Sequence, residues 1–117
     1  MQIDELLALV TAELDERKGQ SISVIDVKDR TSVTDFMILV TASSTRHAQS
    51  LSAYVSEKVK KQGFKPLGIE GEQGSDWVLL DLGDILLHIM TAQARELYQL
   101  EKLWSLDTRV AEVEKTL

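Results

Sequence analysis

Four residues between positions 76 and 88 are of types that could do chemistry together: Asp76, Asp81, Asp84 and His88. Two carboxylates at one turn, with a third carboxylate or an imidazole beside them, can be drawn as a divalent-metal site. Phosphoryl transfer at such a metal also needs a group that holds the phosphates. Ser43-Ser44-Thr45-Arg46 could supply one, because free N–H groups at a helix N-terminus attract anions. Together they would make a metal-dependent nucleotide-handling enzyme using Asp81 and Asp84. The signal is thin. There is no glycine-rich phosphate loop, and Asp-x-x-Asp commonly bounds a turn. His47 and His88 are far apart in sequence, and no cysteine or third clear ligand joins them in a zinc set. A Ser44/His47/Asp81 triad can be drawn, as it can in any chain of this length, and no serine carries a nucleophile-elbow motif. Serines and threonines between a strand and a helix are ordinary caps. His47 then reads as a surface or capping contact, with Arg46 free to pair with Asp35 or Glu70. No catalytic residue, cofactor or metal is expected.

The same stretch reads more simply as a β-hairpin. Residues 76–81 and 84–90 are β-rich, and Leu82-Gly83 between them is a turn signal. With a two-residue loop there, Trp77 would face His88, Leu79 would face Leu86 and Asp81 would face Asp84. Alternation places Val78, Leu80, Ile85, Leu87 and Ile89 on one face, with Asp76 as its one polar member. Trp77, Leu79, Asp81, Leu86, His88 and Met90 fall on the other. The first face is plain core. The second, with an indole, a histidine and carboxylates, has the make-up of a recognition surface. The plainer alternative is a second, partly covered core face whose aspartates only bound a turn.

The elements that must position this hairpin follow from hydrophobic spacing. Ile3, Leu6, Leu7, Val10 and Leu14 recur at helical intervals, predicting a helix over 3–17 that Gly19 ends. Residues 21–27 alternate as a strand. Residues 34–42 are nearly all apolar and read as a central strand buried on both faces. A second helix is expected from Ser44 to about Gln62, with Ala48, Leu51, Val55 and Val59 as its stripe. Residues 66–70 form a short strand that starts at the only proline, where a missing donor costs least. After the hairpin, a third helix is expected over 92–104, with Leu97, Leu100, Leu103 and Trp104 as its stripe. The order α-β-β-α-β-β-β-α predicts a single-domain α/β sandwich, a mixed β-sheet of about five strands flanked by helices. The domain should span 1–105, with 106–117 a charged tail that is a loose helix or frays.

Composition narrows the function. At 117 residues, 44% of them apolar, the chain is one globular domain. The absence of cysteine excludes disulfides, thiolate catalysis and cysteine-based metal centres. No apolar run approaches the roughly 20 residues that span a membrane, and the acidic N-terminus lacks a signal peptide's basic region, so a cytoplasmic location is expected. The net charge of −6 disfavours a bare phosphate backbone as partner, so no sequence-specific nucleic acid is expected. An acidic surface suits a basic protein instead.

Several blocks, taken together, carry a specific resemblance: Ile25-Asp26-Val27, Thr34-Asp35-Phe36, Ser43-Ser44-Thr45-Arg46-His47, Gly68-Ile69-Glu70-Gly71, Asp76-Trp77, Asp81-Leu82-Gly83-Asp84 with His88, and Leu97-Tyr98-x-Leu100-Glu101-x-Leu103-Trp104. In order and spacing they resemble the ribosomal silencing factor (Iojap) family over residues 1–105. The resemblance implies a nucleotidyltransferase-like sandwich without the catalytic residues. It implies a translation repressor that binds large-subunit ribosomal protein fourteen, blocks joining of the ribosomal subunits and lowers translation in nutrient shortage. A homodimer is admitted for the free protein. Glu70, Asp76, Trp77, Asp81, Asp84, His88 and Tyr98 match the family's blocks. With Leu79, Leu86 and Met90, which follow from hairpin alternation, they make up the expected partner-binding set.

Overall fold

The computed structural model describes residues 2–71 and 74–105, so the expected tail over 106–117 lies outside the described residues. The elements are α1 (Ile3–Glu16), β1 (Gln20–Asp26), β2 (Phe36–Ala42), α2 (Thr45–Lys61), β3 (Gly68–Glu70), β4 (Trp77–Asp81), β5 (Ile85–Thr91), α3 (Ala92–Tyr98) and α4 (Leu100–Ser105). The strands form one five-stranded mixed sheet in the order β1-β2-β5-β4-β3. Only β2 and β5 run parallel. A parallel pair needs a crossover, here α2 followed by β3 and β4. Helices α1 and α2 pack on one face of the sheet, and α3 and α4 sit on the other.

The main core lies between the sheet and the longer helices. Leu6, Val10 and Leu14 of α1 and Ala48, Leu51, Val55 and Val59 of α2 meet Ile38, Val40, Val78, Leu80, Ile85, Leu87 and Ile89 of the sheet. Period-3.6 stripes therefore close on period-2 rows, as the spacing requires. A smaller core occupies the opposite face, where Val27, Met37 and Leu39 pack with Ile25, Leu86 and Leu100. Strand β2 contributes to both cores, which is why it reads as nearly all apolar.

Two expectations need correction. The third helix is not continuous. Gln99 adopts a left-handed conformation (φ 50°, ψ 45°) and splits it into α3 and α4. Leu97, before the split, is 74% exposed, and Leu100, after it, packs onto the smaller core of the sheet. Continued periodicity had placed both on one stripe.

The second correction is the hairpin register. Leu82 donates its N–H to the Ile85 carbonyl at 2.9 Å, so the two loop residues are Gly83 and Asp84. Trp77 stands opposite Met90, Leu79 opposite His88 and Asp81 opposite Leu86. Gly83, at φ 83°, takes the first loop position, which demands a positive φ in a type II′ turn. The Asp84 carbonyl then accepts the N–H groups of Asp35 (3.1 Å) and Phe36 (3.0 Å), which fixes the turn to the start of β2. A shift of two leaves each side chain on its expected face.

Candidate functional site: the open face of the hairpin

Strands β4 and β5 present Trp77, Leu79, Asp81 and Leu86 half-buried on the face opposite α1 and α2. The sheet arranges them in rows. Glu70, Leu79, His88, Leu39 and Ser23 lie side by side across all five strands, and Asp81, Leu86, Met37 and Ile25 form the next row. Helices α3 and α4 cover the β1 side of these rows and leave the β4 side open.

Trp77 is held rather than free. Its indole Nε1–H donates to His88 Nδ1 at 3.0 Å. The two rings sit 5.8 Å apart, and the Tyr98 ring lies 4.6 Å from Trp77 at 48°. These are ordinary separations for tilted aromatic pairs. Because Nδ1 accepts, the His88 proton resides on Nε2. That atom is buried and has no hydrogen-bond partner among the described residues. Burial pushes the His88 pKa down to about 4, so the ring is neutral at physiological pH, as an acceptor for the indole must be.

The expected site residues therefore divide. Trp77 and Tyr98 (48% exposed) form an accessible aromatic pair, and Leu79 and Leu86 continue it as a half-buried apolar strip. Glu70 and Asp84 are exposed around its rim, and Asp76 is exposed just before β4 begins. Asp81 is half-buried, and one carboxylate oxygen accepts the Gly83 N–H at 2.9 Å, holding the turn. His88 and Met90 share the face but are 6% and 0% exposed. They support the surface from beneath and present none of their own. Leu97, expected on a buried stripe, is instead 74% exposed. The expected stripe ends at Gln99, a break that no glycine or proline marks.

The catalytic alternative loses its geometry. Asp81 and Asp84 sit at the β2 entry, since Asp84 bonds the N–H of Phe36. The Ser43-Ser44 turn follows the far end of β2. Seven residues of strand separate them, about 20 Å at the usual rise. The turn's groups are also occupied. Ser44 Oγ accepts the His47 N–H at 3.0 Å as an N-cap. His47 Nδ1 accepts the Ser43 N–H at 2.9 Å, and its Nε2–H donates to the Arg17 carbonyl at 2.9 Å, tying α1 to α2. Arg46 is exposed and makes no ion pair with Asp35 or Glu70. Among the described residues no three His, Asp or Glu side chains gather where they could hold a metal ion.

Gly71 fixes where β4 begins. Its φ is 81°, and a Cβ added there would stand 2.3 Å from the Trp77 carbonyl oxygen. Gly71→Ala should lower stability by at least about 2 kcal/mol, from left-handed strain plus that clash. It should also disturb Trp77. Urea denaturation with tryptophan fluorescence measures both.

The fold and this face define a class: a small mixed α/β sandwich with one open surface, apolar and aromatic at its centre and acidic at its rim. The family model described as "Ribosomal silencing factor during starvation" matches residues 1–117, and the chain belongs to that family. A ribosomal silencing factor from Haemophilus influenzae is 41% identical over 100 residues, covering 86% of this chain and 98% of its own. A mouse relative named "Mitochondrial assembly of ribosomal large subunit protein 1" is 32% identical, over 95% of this chain and 50% of its own. A crystal structure of a protein from Chromobacterium violaceum superposes with a TM-score of 0.87 at 33% identity, covering 99% of this chain and 97% of that one. The family is one of ribosome-directed regulatory factors, not of enzymes.

Proposed function

We propose that the protein silences translation by occupancy. It docks its open hairpin face on large-subunit ribosomal protein fourteen and so obstructs joining of the small subunit, lowering translation under starvation. The observation that carries this reading is Trp77, fixed by His88 below and Tyr98 beside it, half-buried within an apolar strip with a carboxylate rim. Tryptophan is enriched among interface hot spots because it buries a large rigid area at low entropic cost. Glu70, Asp76, Asp81 and Asp84 supply complementarity to a basic protein and speed its approach. Leu79 and Leu86 extend the contact, and His88 and Met90 hold it in shape. A face of this kind would bury about 800 Å² per partner.

The net charge of −6 supports a protein partner rather than bare RNA. Among the described residues no helix is long and apolar enough to cross a membrane. In this reading the protein acts in the cytoplasm, where its ribosomes are. The same apolar strip is open to a second copy when the protein is free, giving a homodimer that the ribosomal protein would displace.

The direct test is titration of isolated ribosomal protein fourteen, with naked ribosomal RNA as control, at about 150 mM salt, where surface electrostatics are screened. Saturable binding to the protein and none to the RNA is expected. Tight binding to RNA alone would refute the reading. A companion test addresses Asp81 and Asp84. Wild type and Asp84→Asn should consume no nucleoside triphosphate with magnesium present. Turnover in wild type that disappears in the variant would make the protein an enzyme.

A further inference from the structure

We propose that Arg95, which lies off the open face, is a positioning residue that sets partner affinity by locking Tyr98 against Trp77. The inference rests on the docking reading above and names the device that preorganises its anchor. Helix α3 spans only seven residues, Ala92–Tyr98, too short to hold itself in water. It is fixed at its start by Thr91, whose hydroxyl accepts the Ala94 N–H, and at its end by Arg95.

The Arg95 side chain, 12% exposed, spreads its fork over three other elements. Nη1–H groups donate to the Ser21 carbonyl of β1 (2.6 Å) and to Thr41 Oγ1 of β2 (2.9 Å). Nη2–H donates to Ser23 Oγ (3.1 Å), and Nε–H donates to Glu101 Oε1 of α4 (2.9 Å). Ser23 Oγ–H closes the ring on Glu101 Oε2 at 2.6 Å. The Arg95 hydrogen bond holds the Glu101 carboxyl below its ordinary range, with Ser23 assisting and partial burial opposing.

The backbone is bent to meet this fork at two places. Ser21, at φ 52°, is left-handed where β1 carries an irregular register between Gln20 and Ser23, and it offers the very carbonyl that Arg95 takes. Gln99, at φ 50°, turns the chain so that Glu101 returns to Arg95. Left-handed non-glycine residues cost free energy and persist where surroundings over-determine them. Both strained residues flank one guanidinium. Tyr98 stands between Arg95 and Gln99, so a loosened fork frees Tyr98 from its 4.6 Å seat on Trp77. Binding would then have to order that ring, at a cost in affinity.

The test is a double-mutant cycle with ribosomal protein fourteen as titrant, using Arg95→Gln, Tyr98→Ala and their combination. Arg95→Gln should weaken binding about tenfold and reduce the near-ultraviolet circular dichroism of the aromatic cluster. In the Tyr98→Ala background the same change should add less than about twofold, because its route to the partner is already gone. Arg95→Gln binding within twofold of wild type, or additive losses in the cycle, would overturn the proposal. Ser23→Ala removes one hydroxyl from the ring and gives the same two readouts should Arg95→Gln not fold. Trp77→Ala separates the levels. If it binds like wild type, the docking reading fails and the clamp with it. If it loses binding while the Arg95 cycle is additive, only the clamp fails.

Discussion

Trp77→Ala is expected to weaken binding to ribosomal protein fourteen by thirtyfold or more, about 2 kcal/mol on hot-spot magnitudes. The ring stands in the open strip, packed at a tilt against Tyr98 and hydrogen-bonded to His88. Its removal deletes the largest apolar contact and also releases Tyr98. Stability should fall by about 1–2 kcal/mol, less than the 3–5 typical of a tryptophan in a closed core. The ring is only half-buried, so solvent can fill part of the space it leaves. Its packing on two rings makes the loss larger than an exposed side chain would give. Titration and urea denaturation of one variant read the two numbers separately. A large loss of stability with unchanged affinity in the folded fraction would move the anchor to Tyr98.

Acid should destabilise the fold through His88. Burial lowers its pKa from 6.5 to about 4 in the folded protein. Between those values the unfolded chain binds a proton that the folded one refuses, so stability rises with pH across that window. The contribution is full above pH 6.5 and is lost progressively toward pH 4. It amounts to about 3 kcal/mol when converted at 1.36 kcal/mol per unit. Glu101 acts lower. Its folded pKa is depressed, so its share is present above the ordinary carboxylate range and is lost as pH falls through the folded value. The interval between pH 6.5 and 5 is therefore governed by His88. In His88→Leu the slope of stability against pH there should flatten. An unchanged slope would mean that the ring takes up a proton without cost.

The hairpin shows what was legible in the sequence. Period-two alternation assigned Val78, Leu80, Ile85, Leu87 and Ile89 to the core, and all five are buried. The register was not legible, because Leu82-Gly83 and Gly83-Asp84 are both acceptable two-residue loops. The choice is made by bonds from Asp84 to Asp35 and Phe36, some fifty residues away in sequence. Alternation put Trp77 and His88 on one face and the expected loop put them directly opposite; in the true pairing their rings meet diagonally, two residues out of line. The capping roles of Ser44 and His47 were readable because caps are local. The break at Gln99 was not, since glutamine carries no turn signal. Arg95 was invisible for a plainer reason: Thr41, Ser23 and Ser21 lie 54, 72 and 74 residues from it.

The central claim, silencing by occupancy of the large subunit, is tested most directly by subunit joining. Purified small and large subunits would be mixed with the protein in molar excess, and the products separated on a sucrose gradient. The expected result is loss of the joined-ribosome peak, with the protein sedimenting with free large subunits, and recovery of that peak when Trp77→Ala replaces wild type. An undiminished joined peak with wild-type protein, or protein travelling with the small subunit, would contradict the account.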